Sequence, residues 1–334
     1  VRSPKNKIYF SFFMFTADLR PDDESYTRTL IRHIKELVGM GYDGFDLHIA
    51  DQPTTDHRAE VESYRRMKHA FDKAGLEAVQ FTTNVGTTRT FDPTSPYREQ
   101  RDAALAYLKS RVDITAVLGG ESIMAGPFVV PYYGFPTTDA NQPIWADALQ
   151  SWLKPRYAAA QPVLQALGEY AEHKAVKLGI EPLKSWEIPA PNSLSDVLRF
   201  LEGGVTTAQV GLTVDTAQVI MESTGPKIFR ANLDATVQQK RLHYVHISAP
   251  DRGAVHDSWI AWDALLKPIL PVYDGPYLVE VFNAIPPFDS LMRLTRRKFW
   301  IPSEDAPQPG CPSAYDIARD GLRELRSQIS RLSS

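Results

Sequence analysis

The feature that most narrows the fold is an alternation repeated eight times along the chain. A short run of β-branched and aromatic residues is followed by a polar loop and then by a stretch with helical spacing. Parallel strands require this, because each is reached from the last through a crossover helix. The strand-like runs are Ile8–Phe15, Gly44–Ile49, Glu77–Thr83, Ile114–Leu118, Val176–Glu181, Gly211–Asp215, Leu242–Ser248 and Tyr277–Phe282. Helices are expected over Tyr26–Met40, His57–Ala74, Ser95–Arg111, Pro143–Ala175 (one piece or two), Ser193–Glu202, Leu233–Lys240, Trp259–Leu270 and Phe288–Arg297. Gly41 and Gly75 stand where two helices would end, and Asp56, Ser95 and Ser193 offer capping oxygens where others would start. Eight such units in roughly 280 residues is the usual size of a (β/α)8 barrel.

The rival is a doubly wound open sheet, which places a glycine-rich phosphate loop after its first strand. Here the first strand runs into Phe-Thr-Ala-Asp-Leu-Arg-Pro, and Gly119-Gly120 lacks the G-x-G-x-x-G spacing. The reading is therefore a barrel over residues 1–299, followed by a tail over 300–334. Pro302, Pro307, Pro309 and Pro312 lead that tail into a helix near Ala314–Ser330, expected to wrap the barrel or meet another chain.

Charge and composition exclude several partners. With 37 Lys and Arg against 40 Asp and Glu, the chain carries no field that would gather nucleic acid or anionic lipid. The basic run Arg293–Lys298 reads as a solvated helix end. Cys311 is the only cysteine, so no disulfide framework or thiolate cluster exists. The apolar runs are too short to span a bilayer and no secretory leader is evident, so no membrane partner and a cytoplasmic location are expected.

Four consecutive strands in the second half each deliver one metal-ligand type near their ends: Glu181 in LGIEP, Asp215 in LTVDT, His246 in YVHIS and Glu280 in LVEVF. Any one could be a buried carboxylate or imidazole in an ordinary pair. Four on neighbouring, otherwise apolar strands would be costly unless they share a partner. Three carboxylates and an imidazole suit a divalent ion, Mn2+ first, with Mg2+, Co2+ or Zn2+ as alternatives, acting as a Lewis acid on a sugar-like ligand.

With Asp251-Arg252-Gly253 just after the histidine, this series resembles the xylose-isomerase-like barrel superfamily, including sugar epimerases of the tagatose 3-epimerase type. The resemblance implies that Glu181 and Glu280 bind metal and also move protons, and that Arg252 holds a substrate hydroxyl or carbonyl. Those epimerases usually carry a histidine three residues after the strand-six aspartate, where this chain has Gln218. The stretches FSFFMFTADLRPDD, GYDGFDLHIA, HISAPDRGAVHDSWIAW, VEVFNAIPPF and RLTRRKFWIPSED are similar to the large barrel subunit of bacterial C-glycoside deglycosidases. That likeness implies a small β-rich partner subunit, Mn2+ and a 3-oxo-glucoside substrate. A ketone at C3 acidifies the C2 proton and sets up β-elimination at C1, which opens the glycosidic C–C bond. An isomerase or 3-epimerase would reprotonate the same metal-stabilised enediolate. A third reading is a non-catalytic metal-binding scaffold.

Further candidates are weaker on pattern. His48 ends strand two and is a candidate base or a buried structural histidine. Arg252 contacts substrate or pairs with Asp251 at the surface, and Lys184 donates to a ketone or is solvated. Tyr132 and Tyr133, in the long loop after strand four, suit an aromatic substrate wall or a subunit contact. Gln218 is a further substrate-binding candidate, and His243 reads as structural.

Overall fold

The computed structural model of the chain describes residues 6–15, 20–49, 55–120, 122–132, 134–222, 225–282 and 299–333. Eight parallel strands close into a barrel in chain order: β1 Ile8–Ser11, β2 Gly44–His48, β3 Gln80–Asn84, β4 Ile123–Gly126, β5 Lys177–Ile180, β6 Val210–Asp215, β7 Leu242–Ser248 and β8 Tyr277–Glu280. The seam is the β1–β8 pairing, with Ile8 opposite Tyr277. Around the barrel lie α1 Glu24–Met40, α2 His57–Lys73, α3 Arg98–Leu118, α4 Ala146–His173, α5 Leu194–Glu202, α6 Thr216–Glu222, α7 Pro226–Gln238, α8 Trp262–Ile269 and α9 Ala314–Leu332. Among the described residues no helix is long and apolar enough to cross a membrane.

Strand alternation builds two apolar layers. Ile8 and Phe10 face the main core between strands and helices, whereas Tyr9 joins Ile123, Ala125, Tyr244 and Leu278 inside the barrel. Asp56 and Ser193 cap α2 and α5 as expected, whereas Ser95 does not cap α3, which begins at Arg98 after Tyr97 with no side-chain cap. Asp23 accepts from the amides of Ser25 and Tyr26 at α1, and Ser193 and Asp196 form a reciprocal capping box at α5.

The structure corrects the fourth strand. Ile114–Leu118 is the last turn of α3, not a strand, because its apolar residues continue the buried face of a 21-residue helix. Gly119 (φ 77°) and Gly120 (φ 104°) then turn the chain into the true strand, Ile-Met-Ala-Gly, whose small residues left only a faint hydrophobic signal. The expected Pro143–Ala175 segment is a single helix, α4, despite Pro155 and Pro162. The Leu233–Lys240 helix begins earlier as α7 and is preceded by α6, which the sequence reading missed. Phe288–Arg297 and the basic run Arg293–Lys298 lie outside the described residues.

Helix α9 packs against α1 and α8 and so takes the place in the ring that follows β8. Phe299 and Ile301 lead into it from buried positions. His33 of α1 is fully buried against this segment, its Nδ1 2.8 Å from the Tyr315 hydroxyl and its Nε2 3.0 Å from Glu304 Oε1, with Phe15 stacked on the ring. The Tyr42 hydroxyl donates to the Ala318 carbonyl at 2.7 Å.

Leu325 is fully buried on the inner face of α9. Leu325→Ala should destabilise the protein by about 2–5 kcal/mol in a urea titration, the usual result of emptying a well-packed leucine site. A loss below about 1 kcal/mol would show that α9 only leans on the barrel.

Candidate metal centre

Barrel geometry gathers the four candidate ligands. Asp215 closes β6, Glu280 closes β8, His246 lies two residues before the end of β7, and Glu181 directly follows β5. Because β5 to β8 are successive neighbours, one donor atom from each residue lies within 4.8 Å of all the others, and all four residues are buried. Nδ1 of His246 is 3.7 Å from Glu280 Oε1, 3.9 Å from Glu181 Oε2 and 4.0 Å from Asp215 Oδ2. These gaps are too wide for hydrogen bonds. Both His246 nitrogens and Glu181 Oε1 are buried without a hydrogen-bond partner. Leaving such atoms unpaired is expensive, and one shared cation accounts for them. Bonds of about 2.1 Å put ligand atoms roughly 3–4 Å apart around a common centre. The donor set fits a divalent ion such as Mn2+, Mg2+, Co2+ or Zn2+.

Arg252 is part of this cluster and not of a surface pair. Its guanidinium donates to Asp215 Oδ2 (2.9 Å) and Ser248 Oγ (2.8 Å) and lies 3.1 Å from Glu280 Oε2. Asp251 is exposed and accepts instead from the Gly253 amide. Arg252 is carried inward by a left-handed turn (φ 60°), and its carbonyl accepts from the Phe282 amide at 3.0 Å. Ser248 also donates to Asp215 Oδ1 at 2.6 Å. The sequence reading passed over Ser248, although its place two residues beyond His246 puts it on the same inward face of β7.

Electrostatics divide the carboxyls into two kinds. Burial resists ionisation of Asp215, but Arg252 and the Ser248 hydroxyl hold it well below the usual carboxylate range. Glu181 is pushed up to about 8 by burial and by Asp215, and Glu280 is raised well above its ordinary value by burial. His246 is pushed down to about 4, chiefly by burial, so its imidazole is neutral and fit to bind metal.

Lys184 is buried and not solvated, its ammonium 3.0 Å from Glu187 Oε2, and burial lowers its pKa. Glu187 was missed in the sequence because nothing in its loop distinguishes it from a surface acid. Gln218 is 2% exposed, and neither amide atom has a hydrogen-bond partner. His48 ends β2 with its Nδ1 unpartnered, and burial pushes it down to about 4. It does not join the four-residue cluster. Its ring lies against Phe13 (5.0 Å), Phe13 stacks on Phe282 (4.6 Å), and Arg252 covers Phe282 (4.4 Å). Tyr132 packs against Gly86, where a Cβ would come within 2.8 Å of its ring. Tyr133 lies outside the described residues. His243 is structural, as expected, with Nδ1 3.0 Å from the Leu178 carbonyl oxygen.

Below the cluster, the Thr82 hydroxyl donates to Asp46 Oδ1 (2.6 Å) and lies 2.8 Å from the Tyr244 hydroxyl, whose ring meets His246 edge-on. Asp46 Oδ2 has no partner, and burial pushes this carboxyl up to about 7.

Residues 34–298 match the xylose isomerase-like TIM barrel family. The chain belongs to that family. A protein from Anabaena variabilis ATCC 29413, provisionally described as a sugar phosphate isomerase/epimerase, is 54% identical with a TM-score of 0.93, over 98% of this chain and 99% of that one. The D-allulose 3-epimerase of a Methylomonas species, solved with D-allulose, shares the fold at 19% identity and a TM-score of 0.72, over 97% and 98% of the two chains. The 3-keto-D-glucoside 4-epimerase of E. coli shares it at 19% identity and a TM-score of 0.62, over 97% and 99%. No curated protein matches the chain at a significant level.

Two outcomes follow from this geometry. Glu181→Gln or Asp215→Asn should abolish retention of Mn2+ through desalting, whereas Arg252→Ala should keep it, as read by elemental analysis. Full metal content in Glu181→Gln would remove Glu181 from the ligand set. For Asp46, the folded state keeps a proton that the unfolded chain has lost between about pH 4 and 7, so its contribution to stability falls as pH rises through that window. Asp46→Asn should therefore gain stability over the wild type, by up to about 4 kcal/mol at pH 8, with the gain shrinking toward pH 4. A gain independent of pH would show that Asp46 is ionised throughout.

Proposed function

We propose that this chain is a metal-dependent sugar isomerase or epimerase that moves a proton on a carbon next to a carbonyl. The observation that supports it most is the pair of buried glutamates, Glu181 and Glu280, supplied by the first and last of the four ligand strands and sharing one cluster with Asp215 and His246. A divalent ion held there supplies Lewis acidity to a substrate carbonyl and its neighbouring hydroxyl. One glutamate takes the proton from the acidified carbon, and the electron pair moves to the carbonyl oxygen. The other returns a proton to the enediolate, on the same carbon for epimerisation or the next for isomerisation. Arg252 holds a substrate oxygen while balancing Asp215 and Glu280. Lys184 and Gln218 face the substrate as donors.

A second reading is a Mn2+-dependent C-glycoside deglycosidase acting on a 3-oxo-glucoside. It begins with the same proton abstraction and then expels the aglycone carbon, which needs a further proton donor. His48, which burial keeps neutral with its Nδ1 unpartnered beside the Phe13–Phe282 stack, favours it as an additional base and not as that donor. This reading includes a small β-rich partner subunit. Exposed Trp145, Trp186 and Trp259 support a partner, since all three lie on loops after barrel strands, at the face where the cluster opens.

The test is incubation of the Mn2+-loaded protein in D2O with a free ketohexose and with a 3-oxo C-glucoside, with and without the small subunit. Deuterium at the carbon next to the carbonyl, without aglycone release, is the expected result, and Glu280→Gln should slow it at least 100-fold, the usual scale of acid–base catalysis. Release of the aglycone would establish the deglycosidase instead. Neither signal would leave a non-catalytic metal-binding scaffold.

A further inference from the structure

A cavity of about 420 Å³ opens between α5 and α7 and reaches inward to Asp215 and Gln218. It is lined by segments that follow β5 and β6, touches a member of the ligand cluster, and has the volume of a small-molecule site. Its outer wall is apolar, formed by Val219, Ile228 and Phe229. Ile228 is half exposed at 49% at the rim of the cavity. At the inner end stands Gln218, buried with both its amide oxygen and its amide nitrogen unpaired. An unpaired buried amide is a donor and an acceptor side by side, the complement of a hydroxyl group.

The charges rule out a phosphate here. No Lys, Arg or His is among the described residues lining the cavity, whereas Asp196, Asp215 and Glu222 are. The N-terminus of α5, an element that could otherwise attract an anion, is closed by its own capping box. The Asp196 amide donates to Ser193 Oγ, and the Ser193 amide donates to Asp196 Oδ2. Glu222 is tied to the Ser185 amide and hydroxyl at 2.7 and 2.9 Å, which holds this acidic side chain in place on the cavity wall.

We propose that this cavity is a second subsite that takes an uncharged, partly apolar extension of the substrate, with Gln218 reading a hydroxyl where the extension joins the reacting sugar. The substrate class is then an unphosphorylated sugar carrying a substituent, not a sugar phosphate. The inference rests on the sugar-enzyme reading for the identity of the reacting end, and on the cavity alone for the rest.

Binding to the Mn2+-loaded full chain by calorimetry and ligand-observed NMR separates the two. The probes are methyl β-D-glucoside, phenyl β-D-glucoside and D-glucose 6-phosphate. The phenyl glucoside should bind about tenfold tighter than the methyl glucoside, since the ring is buried against Phe229 and Val219. The 6-phosphate should bind no tighter than the methyl glucoside. Ile228→Trp, which fills the outer wall at a half-exposed position, should bring the phenyl-to-methyl ratio to about one, and Gln218→Leu should weaken both glucosides. A phenyl glucoside that binds no tighter than the methyl one, absence of binding by both included, overturns the subsite, as does tighter binding of the phosphate. A phenyl preference that Ile228→Trp removes, in a protein showing no deuterium exchange, would keep the subsite and overturn the catalytic reading. Exchange without any phenyl preference would do the reverse.

Discussion

The balance of buried charge around Arg252 is the constraint on which the centre depends. Three carboxyl groups and one guanidinium share a buried space, with Arg252 against Asp215 and Glu280. If all are ionised, two negative charges remain, and a divalent cation neutralises them. Without such a cation, burial keeps Glu181 and Glu280 protonated near neutrality, so that metal uptake and proton release are one equilibrium. Lys184 and Glu187 sit nearby as a pair that is neutral in itself and leaves this balance intact. The arrangement is poorly suited to simple stability, since a purely structural core would replace it with apolar side chains at little cost. Its persistence on four adjacent strands is intelligible as a place to hold an ion and to move protons.

The barrel gives that place its rigidity. Ligands at strand ends inherit the register of the sheet, with Asp215 beside His246 and Ser248 beside Glu280 across successive pairs. The loops add what the strands cannot: the left-handed turn that brings Arg252 inward, and the segment that sinks Lys184 beneath Trp186. Precision is therefore greatest where the ion would bind and least at the outer rim, the usual division of labour in this architecture.

The same division explains how much was legible in the sequence. β7 was read with its observed ends, and all four ligand-bearing strands were placed, because each lies in a mostly apolar run rich in β-branched, leucine or aromatic residues. β4 was missed because a short strand of small residues has little hydrophobic pattern, while the apolar end of α3 beside it has a strong one. Arg252 and Lys184 were candidates, but their burial depends on loop conformation, which local composition does not encode. Phe13 and Phe282 take their positions from a contact between segments distant in the chain, beyond the reach of any periodicity.

The seam has a consequence for how the molecule assembles. The four ligands come from contiguous strands, β5 to β8, so they can meet in a half-barrel formed by the second part of the chain. Closure joins positions 8 and 277, the longest loop in the topology, and loop entropy makes such a contact late and slow to form. The stack of Phe13 on Phe282 bridges this seam, and His48 rests on it. The ligand-bearing strands are therefore contiguous in the chain, whereas the aromatic stack beside them exists only where the two ends of the sheet are joined.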